Sequence, residues 1–252
     1  MVDTVAAEEP LEIRVDGDAL AVTMRTPGND FELALGFLLT EGLVTRPDDV
    51  VTMRYCVDDT QQYNVVNVDL APGVARPAAG QRRAFVTTSS CGLCGKASIE
   101  TVRMRSQYAV ADDPLVIDAA TIAAMPAALI DRQRVFEQTG GLHAAGLFDG
   151  EGRLVCLRED VGRHNAFDKV VGWAAGEGLL PLRSHVLVAS GRASFELTQK
   201  ALMAGAPALV AVSAPSSLAV QLAEETGMTL IGFARGDRLN VYAGAARVST
   251  TA

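Results

Sequence analysis

The densest chemistry in this 252-residue sequence is the run Ser89-Ser90-Cys91-Gly92-Leu93-Cys94-Gly95-Lys96. Two thiols three positions apart, flanked by glycines and serines, do not suit the interior of a strand. The glycines allow an open backbone. A helix starting near Lys96 would aim its positive end at the sulfurs and, with the Lys96 charge, favour the nucleophilic thiolate. Four roles fit such a pair. It could be half of a zinc site, with Cys56, Cys156, His143, His164 or His185 as further ligands, although none of these stands in a second CxxC or HxxxH pair. It could be a dithiol redox couple, a covalent carrier of sulfur or acyl groups, or a purely structural pair.

Three further segments join a Gly to an Arg between an apolar run and the next element. In Arg158-Glu159-Asp160-Val161-Gly162-Arg163-His164-Asn165-Ala166-Phe167-Asp168-Lys169, Gly162 permits a sharp turn and Asn165 can cap a helix. Arg163 and His164 then sit where a helix start would hold an anion. The bland alternative is a polar loop with a surface salt bridge. Gly191 and Arg192 repeat the arrangement before Ser194, a plausible N-cap. The third is Phe233-Ala234-Arg235-Gly236-Asp237-Arg238, which could equally be a solvated hairpin turn. Three such corners at one end of one sheet favour a polyanionic ligand, because crevices beyond strand C-termini are where α/β sheets bind. His143, after Gly140-Gly141, is either part of that site or a hydrogen-bonded core residue.

The elements that must position these residues divide the chain in two. Residues 11–27 read as a hairpin turning at Asp16-Gly17, followed by a helix that Asn29-Asp30 caps and that ends at Gly42. Strands are expected at 50–56, 63–70 and 83–88, and a short helix at 97–106. Ala111-Asp112-Asp113-Pro114 reads as a linker, giving an N-terminal α+β part over 1–112 and a second part over 113–252. Beyond it helices (119–138, 164–177, 194–204, 216–226) alternate with strands (143–148, 153–158, 185–190, 207–213, 229–234, 239–243). Near-continuous Val, Leu and Ala strands imply a sheet covered on both faces.

Composition narrows the function classes. With 49 % hydrophobic and 5 % aromatic residues, the chain can bury a full core. Thirty acidic against 22 basic residues give a net charge of −8, which disfavours non-specific binding to nucleic acid or membrane. Any anionic ligand needs a local basic pocket. Only Lys96, Lys169 and Lys200 are lysines; the other cations are Arg, suited to bidentate phosphate contacts. The opening MVDTVAAEEP lacks the features of a signal peptide, and Gly205, Pro207 and Pro215 break the uncharged stretch 201–223, so a cytoplasmic, reducing setting is expected.

The stretches EEPLEIRVDG, TMRTPGNDFELALGFLLTEG, SSCGLCGK, GGLHAAGLF, EDVGRHNAFDKVVG, SGRASFELTQKA and GMTLIGFARGDRLNVY together resemble the FdhD family of formate dehydrogenase accessory sulfurtransferases, over residues 8 to 243. The resemblance implies that Cys91 carries a persulfide received from a cysteine desulfurase, with Cys94 as its partner. It implies delivery of that sulfur to the molybdenum or tungsten bis-molybdopterin guanine dinucleotide cofactor of formate dehydrogenase, bound as substrate through Phe233 to Arg238. It also implies a homodimer and a cytidine-deaminase-like three-layer α/β/α second part. No zinc is expected, since GRHNAF and SGRASFEL stand where a deaminase has HxE and PCxxC. A dithiol redox protein and a non-catalytic cofactor-binding chaperone are the alternatives.

Overall fold

A computed structural model describes residues 3–56, 63–77 and 106–250. The expected strand 83–88, the thiol run 89–96 and nearly all of the expected helix 97–106 lie outside the described residues.

The N-terminal sheet comes from alternating apolar residues. β1 (Glu9–Val15) and β2 (Asp18–Arg25) form the expected hairpin, turning at Asp16 and Gly17, which have φ of 50° and 90°. Positive φ at both central residues is the two-residue turn whose twist matches the strands. β3 (Val50–Tyr55) and β4 (Val65–Leu70) complete a four-stranded sheet in the order β2-β1-β4-β3, with β1 and β4 parallel. α1 (Asp30–Thr40) packs on it through Leu33, Ala34 and Leu38.

A short β5 (Ile117–Asp118) pairs in parallel with Val248–Ser249, and the second large sheet has six strands in the order β11-β10-β9-β8-β6-β7. β6 (His143–Asp149) and β7 (Leu154–Asp160) are antiparallel; β8 (His185–Ala189), β9 (Ala208–Ala211) and β10 (Thr229–Arg235) are parallel; β11 (Arg238–Ala243) turns back against β10. The central runs of the parallel strands (Val186–Ala189, Ala208–Ala211 and Leu230–Ile231) are apolar because both faces are covered. α2 (Ala119–Ile130) packs Ile122, Met125 and Leu129 against one face. α4 (Arg163–Gly176), α5 (Phe195–Met203) and α6 (Ser217–Thr226) cover the other with Phe167, Leu197 and Leu222. α1 lies across α4, so the two sheets are joined helix to helix. Where the two helices cross, a Cβ added to Gly36 would sit 1.8 Å from the Asp168 carbonyl oxygen, and one added to Gly172 1.9 Å from that of Glu32.

Three expectations need correction. The helix expected over 119–138 breaks at residues 131–133, and a separate α3 (Arg134–Thr139) follows. The Glu159 carboxylate accepts from the amides of Val135 and Phe136, satisfying the start of a new helix. Ala111 to Pro114 is no free linker. Its region forms a 3-10 turn (Val110–Asp112) whose carbonyls accept from the buried Arg247 guanidinium, and Asp113 caps the amides of Leu115 and Ser184. Asn29 starts α1 in the left-handed region without a side-chain cap; its neighbour Asp30 is turned inward to pair with Arg25.

Candidate functional site

β6 is antiparallel to both β7 and β8, so His143 at its start lies at the same edge as the C-terminal ends of β7 through β10. That edge collects Asp160 to His164, Gly191, Arg192 and the Phe233–Arg238 hairpin. Ladder-like hydrogen bonds extend it beyond the strands: Val212 amide to Ala189 carbonyl, Ser213 amide to Gly191 carbonyl, and Phe233 amide to Ser213 carbonyl, each 3.2 Å. The result is a continuous floor of backbone.

At the β9–β11 end of this edge is a cavity of about 390 Å³ lined by Val212, Ser213, Phe233, Arg235, Arg238 and Asn240. Phe233 has φ of 52°, and the residue is 46 % exposed. A bulky residue held in the left-handed region stores strain, and the rest of the fold must enforce it. The register break between Gly232 and Arg235 is the local cause. Gly232 cannot be larger, since a Cβ there would meet Pro215 Cδ at 2.9 Å. Ala234 points into the core under α2, so it can offer the cavity only backbone. Gly236, with φ of 62°, and Asp237 form an exposed hairpin turn, and Arg238 is only loosely paired with Asp237 at 3.8 Å. Turn and cavity wall are therefore the same segment, not alternatives.

At the β6–β7 end the sequence motif does something its spacing does not reveal. Asp160, fully buried, accepts from the amides of Thr26 (3.1 Å) and Gly162 (2.8 Å) and from Asn165 Nδ2 (3.0 Å), and pairs with Lys169 Nζ at 2.7 Å. Asn165 is not the helix cap. It lies inside the first turn and reaches to Met24 O and Thr23 Oγ1 on β2. Gly162 is the N-cap, at φ −97°, where any residue could sit; it is glycine because a Cβ would come within 3.0 Å of Asn165 Nδ2. The Lys169–Asp160 salt bridge is buried within the motif, and Arg158 pairs with Glu32 of α1 at 2.6 Å, so neither is a solvated surface pair; hydrogen bonds between Asp160, Asn165 or Lys169 and residues 23–26 make the seam to the N-terminal part.

Behind it, Lys200 Nζ contacts both Asp168 oxygens at 2.9 Å, Thr40 Oγ1 at 2.9 Å and Glu41 Oε1 at 3.0 Å. Burial alone would strip the lysine proton, but Asp168 and Glu41 overcome it and hold the ammonium above its ordinary value. No local signal marks these partners, which lie on α1, α4 and α5. The cavity residues Val212, Ser213 and Asn240 were also absent from the sequence reading. Ser213 precedes Ser216, the N-cap of α6, and this strand–turn–helix corner could have pointed to it.

His143, Arg163 and His164 lie close enough for their charges to act on one another. Burial, then Arg163, lowers the His143 pKa, partly offset by Asp160. Burial, then Lys200, Arg163 and His143, drives the His164 pKa down to about 3. Arg163 Nε and His164 Nε2 are shielded from solvent and lack a hydrogen-bond partner. Gly191 fits against this group: a Cβ there would stand 3.7 Å from His143 Nδ1. Arg192 is exposed, while the Ser194 hydroxyl accepts from the Leu197 amide as the N-cap of α5. Cys91 and Cys94 lie outside the described residues. Cys156 is buried, with its thiol pushed up to about 12 by burial. Among the described residues no group of three or more His, Cys, Asp or Glu could hold a metal ion, and no helix is long and apolar enough to cross a membrane.

The depressed His164 pKa has a measurable sign. Between about pH 3 and its unfolded value near 6.5, the unfolded chain binds a proton there that the folded chain rejects, so stability falls as pH drops through this window. Urea midpoints measured from pH 7 to pH 4 should decline more steeply for the wild type than for His164→Gln. Parallel profiles would mean that His164 is not held neutral.

The model of the FdhD/NarQ family matches residues 6–249. The sulfur carrier protein FdhD of Mycolicibacterium paratuberculosis (strain ATCC BAA-968 / K-10) is 58 % identical over 98 % of this chain and 92 % of its own length. The sulfur carrier protein FdhD of Mycobacterium tuberculosis is 56 % identical, again over 98 % of this chain and 92 % of the relative. A crystal structure from Desulfotalea psychrophila, assigned to the formate dehydrogenase accessory proteins, superposes with a TM-score of 0.77 at 23 % identity, covering 99 % of this chain and 92 % of that one, and so shares the fold. Seven matching stretches in order, the edge that gathers their charged residues, and near-full-length identity lead to one assignment: the chain belongs to the FdhD/NarQ family.

Proposed function

We propose that this protein is a cytoplasmic sulfur carrier for formate dehydrogenase maturation, with Cys91 as the carrying thiol. Identity of 58 % over 98 % of the chain to a protein named a sulfur carrier is the observation that carries this reading. In the first step the Cys91 thiolate attacks the terminal sulfur of a desulfurase persulfide. One S–S bond breaks as another forms, and the desulfurase leaves as thiolate, with no net redox change. The outer sulfur then passes to a bis-molybdopterin guanine dinucleotide substrate bound at the six-stranded sheet edge: the persulfide S–S bond breaks, Cys91 leaves as thiolate, and two electrons from a thiol reductant or from the reduced metal of the substrate bring the sulfur to the sulfide level. The cavity beneath Phe233 supports this reading, since it offers an exposed aromatic face and two Arg for a phosphate-bearing nucleotide in a chain of net charge −8. Gly191, Arg192, Ser194, His143, Arg163 and His164 complete the proposed binding edge. From the family resemblance we also infer a homodimer, a boundary near residue 112, and a deaminase-type second part, which fits the helix–sheet–helix stacking of α2, β6–β11 and α4–α6.

Intact-mass measurement after incubation with a cysteine desulfurase and cysteine tests the carrier step. The wild type should gain one sulfur, lost on reduction, and Cys91→Ala should gain none there. The same variant should still bind guanine nucleotide yet leave formate dehydrogenase inactive. Full activation by Cys91→Ala would remove Cys91 from the mechanism. Loss of activity with either thiol, without any persulfide, would indicate redox work instead, and activity surviving loss of both thiols a chaperone.

A further inference from the structure

Two parts that serve one ligand often close on each other around a hinge, and a modest, polar interface between them permits it. The joint here is built otherwise. Gly36 of α1 and Gly172 of α4 meet backbone to backbone, with built Cβ atoms 1.8 Å and 1.9 Å from the facing carbonyl oxygens. A slide or a roll of either helix would set a side chain where only hydrogen fits, and packed interiors do not yield to that. The apolar cores also run together across the crossing: Ala175 of α4 belongs to the N-terminal core, and Leu180 packs against both cores.

Around that crossing, polar ties bind the parts at three separate places. Asp160, Val161, Asn165 and Lys169 bond to Thr23, Met24 and Thr26 at the end of β2. Arg158 grips Glu32 near the start of α1 through two nitrogens, at 2.6 and 2.8 Å, and its guanidinium stands 6.0 Å from the centre of the Trp173 ring. Lys200 and Asp168 hold Thr40 and Glu41 at the other end of α1. Glu32 and Glu41 are about 14 Å apart along the helix, at roughly 1.5 Å per residue. A hinge at any one of these ties opens the other two, and each opening breaks contacts to a shielded charge. The chain adds a further stitch: Ser106 Oγ donates to Leu202 O on α5, and Gln107 Nε2 to Thr45 O beyond α1.

We infer that the two parts are locked into one rigid body, and that ligand binding and sulfur delivery proceed without closure of one part onto the other. The inference rests on the proposed carrier reading and adds how its two working regions are held. The cavity agrees with it. Val212, Ser213, Phe233, Arg235, Arg238 and Asn240 all belong to the second part and lie at the β9–β11 end of the sheet, whereas the joint lies on β7, α4 and α5. Closure at the joint would add no wall to that cavity. A ligand with no differential contact between an open and a closed state cannot drive one into the other.

Hydrogen exchange of the full chain in low urea, read amide by amide, tests this. The slowest amides of β1 and α1 should exchange within about 3-fold of those of β8, once corrected for intrinsic rates, because all of them open only in global unfolding. Trp173, the single tryptophan, sits at the joint, so its fluorescence and the far-ultraviolet circular dichroism should share one urea midpoint. Guanosine diphosphate should leave the exchange of β1 and α1 level with that of β8 and, by small-angle scattering, the radius of gyration unchanged. Amides of β1 and α1 exchanging together, about 10-fold or more ahead of β8, would show the parts separating and overturn the lock. An earlier fluorescence transition, or a contraction on adding the nucleotide, overturns it as well. If the nucleotide fails to bind, the cofactor reading of the edge falls, while the exchange and unfolding results still decide the lock.

Discussion

Gly172→Ala is expected to cost about 3–5 kcal/mol, the upper range for a single substitution, and to leave much of the chain unfolded in mild urea. The new methyl would lie 1.9 Å from the Glu32 carbonyl oxygen and 2.6 Å from its carbon. Both are backbone atoms of α1, so no side chain can swing aside. The helices would have to part by about 1.5 Å to restore ordinary contact, losing dispersion contacts along the whole interface. Gly36→Ala should act alike, because its Cβ would lie 1.8 Å from the Asp168 carbonyl oxygen on α4. Gly176 supplies the control. It belongs to the same helix, is exposed, and has nothing within 4 Å of a built Cβ. Gly176→Ala should be neutral or stabilising by up to about 1 kcal/mol through helix propensity. Equal urea midpoints for Gly172→Ala and Gly176→Ala would mean that the helices do not cross this closely.

Lys200→Met should be nearly as severe, at about 3–5 kcal/mol near neutral pH. Methionine fills the volume but leaves the Asp168 carboxylate buried, with Thr40 as its only remaining direct partner among the described residues and Glu41 close by. Burial already pushes the Asp168 carboxyl up, and without the ammonium nothing comparable opposes it. A group whose folded pKa is raised contributes its full stability below the unfolded value and loses it as pH rises. The deficit of the variant relative to wild type should therefore be widest near pH 7 and shrink toward pH 4. Adding Asp168→Asn should recover part of the loss. A deficit independent of pH would show that the variant suffers from packing alone.

These two sites also mark the limit of what the sequence makes legible. Local signals sufficed for the Asp16-Gly17 hairpin, for Ser194 as a cap, and for the strand runs HVLVA and ALVA, because turn type, N-cap preference and apolar patterning act within a few residues. The Arg-bearing corners could be placed at one edge for the same reason. Lys200 and Asp168, Asn165 and Met24, and Gly36 and Gly172 are instead joined across distant parts of the chain. A buried Asp–Lys pair and a solvated one look identical in sequence, and a glycine needed for helix contact looks like one needed for a turn. Gly162 shows this directly: its type suggested an unusual backbone angle, whereas what it supplies is room for the Asn165 amide.

The seam between β2 and the start of α4 also bears on how the molecule is made. Thr23, Met24 and Thr26 leave the ribosome about 140 residues before the Asn165 and Lys169 that complete their hydrogen bonds. Contacts this remote are closed last, because the entropy of the intervening loop opposes them. The first-synthesised half must wait with the groove around Gly36 empty and the apolar flank of α1 uncovered. During that interval a nascent chain offers chaperones a sticky surface, and the seam between β2 and α4 comes into being only when the interval ends.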